Sequence, residues 1–357
     1  MAGESFKVLI LAACLDPHDG GWPLGPLLDR LERRGAGVQM VCLSKGGVLA
    51  DFPRVVELRM LGNCWFRGFA LRSFWTNTPL QFPDLLHAVD DDMANVALAL
   101  AETAGLPYYQ TVSRFETVSR GLRLSRRWCR GLVATSVDLG QALIDELGVP
   151  ADRIAVIPPG LAPFQEPFRG TESGKVPVIG TGGPLEEASG TMNFLEAARL
   201  VLDAGRDVEF VIASQGSQQI ILRHRAQRLQ IADRVTVADF PSFSAEFWSV
   251  LDVYCQPAVV PSTGRTLIQA LGHGIPSVAT NVKGLSGLID SDENGLLVPR
   301  SDPNALAGAI TTLLDDTVKA RRLGSAALDR ARDRFDPEVE ADRLTELYQQ
   351  ATLVRRV

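Results

Sequence analysis

Long apolar segments are absent from this chain of 357 residues, in which no uninterrupted run could span a bilayer. Aromatic residues make up only 7%, and the 5 cysteines show neither a CxxC pair nor a spacing typical of a metal site. The first residues lack a basic stretch followed by an apolar one, so we expect no signal peptide. These absences disfavour a membrane-spanning protein, a disulfide framework and a metal centre, and they predict a cytoplasmic protein without a metal or cofactor.

An excess of basic residues is also lacking, because 42 acidic side chains outnumber 36 basic ones and the formal net charge is -6. This balance argues against a nucleic-acid-binding surface. One local cluster of arginines is an exception. It could meet an acidic acceptor or make peripheral contact with anionic lipid headgroups, although a solvated basic helix is the interpretation we favour. Its members are Arg114, Arg120, Arg123, Arg126, Arg127 and Arg130.

Apolar runs alternate with amphipathic segments along the chain. The run from Phe6 to Ala13 is typical of a strand buried on both faces of a parallel sheet, and leucines from Leu24 to Leu31 follow at helical spacing. The same alternation continues to the end, which predicts an α/β protein with doubly wound parallel sheets.

The length of the chain indicates two domains. We expect Rossmann-like domains over residues 1–164 and 176–335, joined by a linker over 165–175 that is rich in Pro, Gly and Glu. A helix over 336–357 could pack back on the first domain. Ligands of doubly wound sheets bind at the carboxyl ends of the strands, so the two domains should face each other across a binding cleft.

The most informative segment lies between Leu251 and Thr280, where a loop with Ser262, Thr263 and Gly264 leads from a strand into a helix. Free backbone N–H groups and the helix dipole make such a place suitable for an anion. Arg265 at the helix start could grip a phosphate bidentately, although an exposed arginine without a ligand fits equally well.

Four motifs of this chain, which lie at Gly20-Gly21, Pro83–Ala88, Gly264–Thr280 and Asp292–Pro303, resemble those of the group 1 (family 4, retaining) glycosyltransferases. The run from Gly264 to Thr280 is similar to the family's Gly-x-x-x-x-Glu-Ala-Met-Ala-x-Gly-x-Pro-Val-Val-Ala-Thr, and Asp292 to Pro303 resembles its Asp-Gly-Glu-Asn-Gly-Leu-Leu-Val-Pro. In the first half, Gly20-Gly21 and the run from Pro83 to Ala88 match the family's Gly-Gly loop and Pro-Asp-Val-Val-His-Ala.

The resemblance implies the GT-B fold and metal-independent transfer of a sugar from a nucleoside diphosphate donor to a hydroxyl acceptor, saccharide or lipid-linked. The donor should lie on the second domain, and the acceptor on the first. The residues expected at the donor are Gly182, Gly183, Ser262, Thr263, Gly264, Arg265, Thr266 and Gln269. Those expected at the acceptor side of the cleft are His18, Gly20, Gly21, Trp22 and Ser113.

His87 and Arg265 are the catalytic candidates. His87 ends a predicted strand beside the acidic run Asp90–Asp92, where a general base for the acceptor hydroxyl could sit. For the three carboxylates we favour another interpretation, in which they cap and open a helix.

The departures from the family pattern fall on the residues that carry chemistry. Pro261 and Gln269 stand where the family has glutamates, Gly183 and Ser189 where it offers Arg and Lys to the diphosphate, and Ser113 where it has His. A catalytically inactive GT-B module that binds or regulates an active transferase is therefore the main alternative, and a sugar-phosphate epimerase is a weaker one. Lys7, Lys45 or Lys283 could supply the cation for the diphosphate that these replacements remove.

Overall fold

A computed structural model describes residues 6–14, 24–44, 55–61, 70–71, 74–76, 81–161, 174–183, 187–213, 219–238 and 245–353. The chain divides into two compact units, each built around its own parallel sheet. Unit 1 comprises Met1–Ala162 together with Phe335–Val357, and unit 2 comprises Pro163–Arg334.

The sheet of unit 1 has seven strands in the order β3-β2-β1-β4-β5-β6-β7, and every neighbouring pair is parallel. Its strands are β1 (Lys7–Cys14), β2 (Gly37–Ser44), β3 (Val55–Glu57), β4 (Leu85–Ala88), β5 (Tyr108–Val112), β6 (Cys129–Ala134) and β7 (Ile154–Val156). The strand order reverses between β1 and β4, which is where a doubly wound sheet opens a crevice for ligands.

The helices of unit 1 cover both faces of this sheet, because the apolar residues of β1 contribute to two separate core clusters. They include α1 (Leu24–Arg33), α2 (Ala94–Ala104), α3 (Phe115–Arg120) and α4 (Val137–Leu147). In α1 the buried leucines follow the predicted helical spacing, and Gly35, with φ +85°, lies in the turn after the helix.

The sheet of unit 2 has six strands in the order β10-β9-β8-β11-β12-β13, again all parallel. Its strands are β8 (Val178–Gly182), β9 (Glu209–Ala213), β10 (Val235–Ala238), β11 (Val253–Gln256), β12 (Ser277–Thr280) and β13 (Leu296–Val298). The order reverses between β8 and β11, so the ligand crevice of this sheet is expected at their carboxyl ends.

The helices of unit 2 are α5 (Thr191–Asp203), α6 (Gln219–Arg228), α7 (Ala245–Ser249), α8 (Arg265–Gly272), α9 (Pro303–Asp315) and α10 (Thr317–Arg334). Asp302 caps α9 as a typical N-cap does, accepting the N–H of Ala305 at 3.0 Å, and Pro303 opens the helix. Within the described ranges, no helix combines the length and apolar character needed to cross a bilayer.

The last helix, α11 (Pro337–Leu353), belongs to unit 1 and packs against α1. Arg30 and Arg34 of α1 form ion pairs with Glu338, and Arg34 also pairs with Asp342. Tyr348 is fully buried in the core beneath them. The chain therefore returns to its first unit after completing the second.

Candidate functional site

A polar edge lies at the carboxyl ends of β8 and β11 in unit 2. We define it as Gly182, Gly183 and residues 262–266, which end at the first turn of α8. Gly264 precedes the helix in the left-handed conformation, with φ +66°, and its N–H donates to Oγ of Ser262 at 3.3 Å. The first N–H groups of α8 have no carbonyl partner within the helix, so this edge can receive an anion.

Gly264 is required by its surroundings as well as by its backbone. A Cβ built there would lie 2.6 Å from Cδ1 of Leu288 and 2.7 Å from Cδ2 of Leu285. Gly183 has a different environment, since its Cβ would meet nothing closer than Oγ1 of Thr266, at 3.8 Å. The backbone of Gly183 therefore runs beside the Thr266 side chain at the start of α8.

A buried hydrogen-bond network fixes the polar edge from below. The hydroxyls of Tyr254 and Thr266 both donate to Oε1 of Gln256, each at 2.7 Å, and the Tyr254 oxygen also lies 3.3 Å from the carbonyl oxygen of Gly182. All three side chains are buried. Burial raises the pKa of the Tyr254 hydroxyl, which therefore stays a proton donor. The network joins the ends of β8 and β11 to the first turn of α8.

Arg265 and Gln269 stand one helical turn apart on α8, and each is half-buried. Among the described residues, the Gln269 amide makes no side-chain hydrogen bond. Lys283 brings a further cation to the same edge, because its carbonyl oxygen accepts the N–H of Ser262 at 3.1 Å and its side chain is exposed. The structure thus brings the second-unit candidates together around one loop.

Sequence reasoning missed Gln256 and Tyr254. The available signal was a glutamine at the last position of an otherwise apolar strand, immediately before the loop that leads to α8. Ser189 and Thr191 form a further polar pair after β8, with their hydroxyl oxygens 2.8 Å apart.

The prediction that His87 acts as a general base is wrong. Its Nδ1 lies 2.5 Å from the Tyr348 hydroxyl oxygen and its Nε2 lies 2.8 Å from Oγ1 of Thr111, so both ring nitrogens are engaged inside unit 1. Only 1% of the residue is exposed. Burial lowers the pKa of the imidazole to about 3, because the charged form would be desolvated. His87 is a core residue that no acceptor hydroxyl can reach.

The carboxylates that follow β4 have structural roles, and the interpretation of Asp90 as a cap is confirmed. Asp90 accepts the N–H of Met93 at 3.0 Å and that of Ala13 at 2.5 Å. Burial nevertheless raises the pKa of this carboxyl to about 6, and the two N–H groups act in the opposite direction. Asp91 accepts from the N–H and the hydroxyl of Ser113, at 3.1 and 2.5 Å. Ser113 thus lies at the carboxyl edge of the first sheet.

The other first-unit candidates, His18, Gly20, Gly21 and Trp22, lie outside the described residues, as does Lys45. Lys7 is described, and the suggestion that it supplies a cation to the site is wrong. It opens β1 at the amino end of the strand and pairs with Gly37, whereas ligands of such sheets bind at the carboxyl ends.

In the part of the chain that the structure describes, no three His, Cys, Asp or Glu side chains are grouped as metal ligands would be.

Two family models match the chain, one in each half. The model of glycosyltransferase family 4 matches residues 26–163, and that of glycosyl transferases group 1 matches residues 176–316. Among curated proteins, the chain is 25% identical over 200 residues to the lipopolysaccharide core biosynthesis mannosyltransferase LpsB of Rhizobium meliloti, covering 52% of this chain and 57% of the relative.

Other relatives differ in how much of their length is matched. The chain is 25% identical to glycogen synthase of Mycobacterium tuberculosis over 309 residues, which is 81% of this chain and 74% of the enzyme. It is 26% identical to the alpha-D-kanosaminyltransferase of Streptomyces kanamyceticus, covering 50% of this chain. The chain therefore spans only about half the length of these two relatives: 46% of the kanosaminyltransferase and 57% of the mannosyltransferase.

Solved structures share the fold of this chain at low sequence identity. HepE of Anabaena in complex with UDP-glucose superposes with a TM-score of 0.76 and 19% identity, over 97% of this chain and 100% of that one. Sucrose-phosphate synthase of Thermosynechococcus elongatus gives a TM-score of 0.77 at 18% identity, over 98% and 100%. The predicted fold class, with two doubly wound Rossmann-like domains as in GT-B proteins, is confirmed.

One family model falls on the first parallel sheet and the other on the second, in the order in which the chain builds them. The chain thus carries a glycosyltransferase family 4 domain in its first half and a domain of the glycosyl transferases group 1 in its second.

Proposed function

We propose that this chain transfers a sugar from a nucleoside diphosphate donor to a hydroxyl group of a saccharide or lipid-linked acceptor, with retention of anomeric configuration and without a metal ion. The donor binds at the polar edge of unit 2. The observation that carries the proposal is the assembly of Gly183, the Ser262–Thr266 loop and the N-terminus of α8 at the switch point of the second sheet.

The diphosphate is the leaving group, and its developing charge has to be stabilised by preorganised donors and cations. In our proposal, the backbone N–H groups at the start of α8 face the phosphates, and Arg265 and Lys283 supply the positive charge that the family takes from the loop after the first strand of this sheet. One such interaction contributes about 2–4 kcal/mol to the transition state, by analogy with single oxyanion-hole deletions.

Gln269 is proposed to hold a hydroxyl of the donor ribose. It lies one turn beyond Arg265, and its amide has both a donor and an acceptor to offer. A neutral amide forms weaker hydrogen bonds to a hydroxyl than a carboxylate does. We therefore expect weaker donor binding than in a relative that carries glutamate at this position.

The family match and one solved relative support this assignment of the donor. HepE of Anabaena was solved with UDP-glucose and with UDP, and this chain shares its fold over nearly its whole length. A uridine diphosphate sugar is therefore the first donor to test, with guanosine and adenosine diphosphate sugars beside it.

The second candidate function is an inactive GT-B module that binds or regulates an active transferase. Two observations favour it: Pro261 has no side-chain polar group where the family has glutamate, and Gly183 and Ser189 stand where the family offers Arg and Lys to the diphosphate. The N–H groups at the polar edge would still bind a nucleotide in such a module, so binding alone does not distinguish the two candidates.

Calorimetry of the purified chain with UDP, GDP, ADP and their sugar conjugates tests the donor site. We expect one nucleotide to bind with micromolar affinity and Gln269→Ala to weaken it about tenfold, which corresponds to roughly 1.4 kcal/mol. Gln227→Ala, which removes an exposed glutamine of α6, is the matched control and should bind as the parent does. Absence of binding by every nucleotide in a folded protein would contradict the proposal.

A turnover assay then distinguishes an active transferase from an inactive module. Release of free UDP from the donor in the presence of candidate acceptors, with NMR of the anomeric proton in the product, reports both transfer and stereochemistry. Retained configuration and a rate unchanged by EDTA support the proposal. Nucleotide binding without turnover for any acceptor, combined with stimulation of a partner transferase, would assign the chain to the second candidate.

A further inference from the structure

The arginines grouped together in the sequence occupy three different environments in unit 1. Arg114 forms ion pairs with Asp91 and Asp92 at the carboxyl edge of the sheet, and Arg130 is half-buried in β6. The remaining four are exposed and form no ion pair among the described residues. They are Arg120, Arg123, Arg126 and Arg127.

Arg120 ends helix α3 and the other three side chains project from the loop that follows, so the expectation of a solvated basic helix is wrong for most of this segment. Helix α3 ends at Arg120, and Gly121 follows with φ +82°, a backbone conformation that favours glycine. We call residues 120–128 the arginine loop. It leads directly into Cys129, the first residue of β6, and Ser125 contacts Tyr108, the first residue of β5, so residues 125–128 lie at the amino edge of the first sheet.

The arginine loop is anchored to the core by its other residues. Ser125 donates its N–H to the Tyr108 hydroxyl at 3.1 Å, and its own hydroxyl accepts the N–H of Trp128 at 3.4 Å. Leu122, Leu124 and Trp128 are partly buried against a core cluster. The backbone is thus held in place while the arginines are exposed, so little backbone entropy is lost when they meet a ligand.

Charge in this region opposes the charge of the whole chain. No acidic residue occurs between Glu116 and Asp138, a segment that contains all four exposed arginines, although the formal net charge of the chain is -6. The guanidinium of Arg127 lies over the Trp128 ring, 4.9 Å from its centroid. A partly buried tryptophan beside cations is typical of side chains at a membrane–water interface.

We propose that the arginine loop is a docking surface for anionic lipid headgroups, separate from the sugar-transfer site. Its place at the amino edge argues against an acidic acceptor substrate as the ligand, because substrates of such sheets bind at the opposite, carboxyl edge. A flat lipid surface can engage this one patch, whereas a long nucleic acid would also meet the acidic remainder of the chain.

Co-sedimentation of the full chain with large unilamellar vesicles tests the proposal. Vesicles of phosphatidylcholine and phosphatidylglycerol at three to one should bind the protein at 50 mM salt, pure phosphatidylcholine vesicles should not, and 500 mM salt should release it. Reversing the charge with Arg123→Glu and Arg127→Glu should weaken binding by about tenfold or more, since each basic residue near an anionic surface contributes about a fivefold factor.

Arg228→Glu with Arg321→Glu is the matched control, because it makes the same change in net charge at exposed arginines of unit 2. We expect this pair to bind vesicles as the parent does, and Arg123→Lys with Arg127→Lys to retain binding. Equal loss in both reversed variants, or no vesicle binding by the parent, would overturn the proposal. Tighter binding to single-stranded RNA than to anionic vesicles would also overturn it, in favour of a nucleic-acid ligand.

Discussion

The hydroxyl of Thr266, in the first turn of α8, donates a 2.7 Å hydrogen bond to the Gln256 side chain at the end of β11. Thr266→Val removes this bond while keeping the shape of the side chain. We expect the variant to lose about 1 kcal/mol of unfolding free energy, because a buried acceptor loses one of its two donors. Urea titration of the variant checks the value, and Thr263→Val, which removes no side-chain hydrogen bond among the described residues, is the control.

If the network also fixes the polar edge, Thr266→Val weakens nucleotide binding more than its stability loss explains. Calorimetry at a temperature where both proteins are fully folded separates the two effects. Unchanged affinity in the variant would mean that the start of α8 is held by packing alone.

Gly264 connects the conformation of the polar loop to the packing beneath it. Gly264→Ala should be strongly destabilising, because the new Cβ would lie 2.6 and 2.7 Å from leucine side chains while the backbone stays at φ +66°. Gly205→Ala is the control: that glycine has a similar φ, +76°, but nothing within 4 Å of its Cβ. We expect a loss of about 1 kcal/mol for the control, from backbone strain alone, and a larger loss for Gly264→Ala. Equal melting temperatures would contradict this.

The structure explains which features the sequence could predict. Buried strands and amphipathic helices leave local periodic patterns, so the alternation, the fold class and the position of the Ser262–Thr266 loop followed from the residues themselves. The prediction for His87 was wrong because one of its partners is remote in sequence. Tyr348 lies 261 positions further along the chain, on a helix that returns to unit 1. No local pattern distinguishes a histidine that faces a ligand from one that a distant helix covers.

His87 also makes a prediction about acid stability. Its folded-state pKa of about 3 lies below the ordinary value of 6.5, so between these values the unfolded chain binds a proton that the folded chain does not. The contribution of His87 to the free energy of unfolding is therefore present above pH 6.5. It is lost as the pH falls below that value, by about 1.4 kcal/mol per pH unit. Urea titrations at pH 7 and pH 5 should show a smaller difference for His87→Phe than for the parent.

The His87→Phe variant itself is expected to be less stable at pH 7, since the hydroxyls of Thr111 and Tyr348 lose their partner. His224→Phe, at an exposed position of α6, should leave the parent's difference between the two pH values in place. The same smaller difference in the control would show that the effect does not belong to His87.

Glu340 of α11 predicts a pH dependence of the opposite sign. Its Oε2 accepts the N–H of Gly160 at 2.8 Å, and burial raises the pKa of this carboxyl from 4.5 to about 7. Between these two pKa values the folded chain keeps a proton that the unfolded chain has lost. The contribution of Glu340 to the free energy of unfolding is therefore present below pH 4.5 and is lost as the pH rises to 7. Glu340→Gln should therefore stabilise the protein at pH 8 and leave it nearly unchanged at pH 4.5.

Glu338 is the matched control on the same helix. Its exposed carboxylate pairs with Arg34 and Arg30, whose hydrogen bonds lower its pKa, so its contribution is present at neutral pH and is lost on acidification. Glu338→Gln should thus be neutral or slightly destabilising at pH 8, where Glu340→Gln stabilises. Melting curves of both variants at the two pH values decide the matter, and destabilisation by Glu340→Gln at pH 8 would show that this carboxylate binds Gly160 in its charged form.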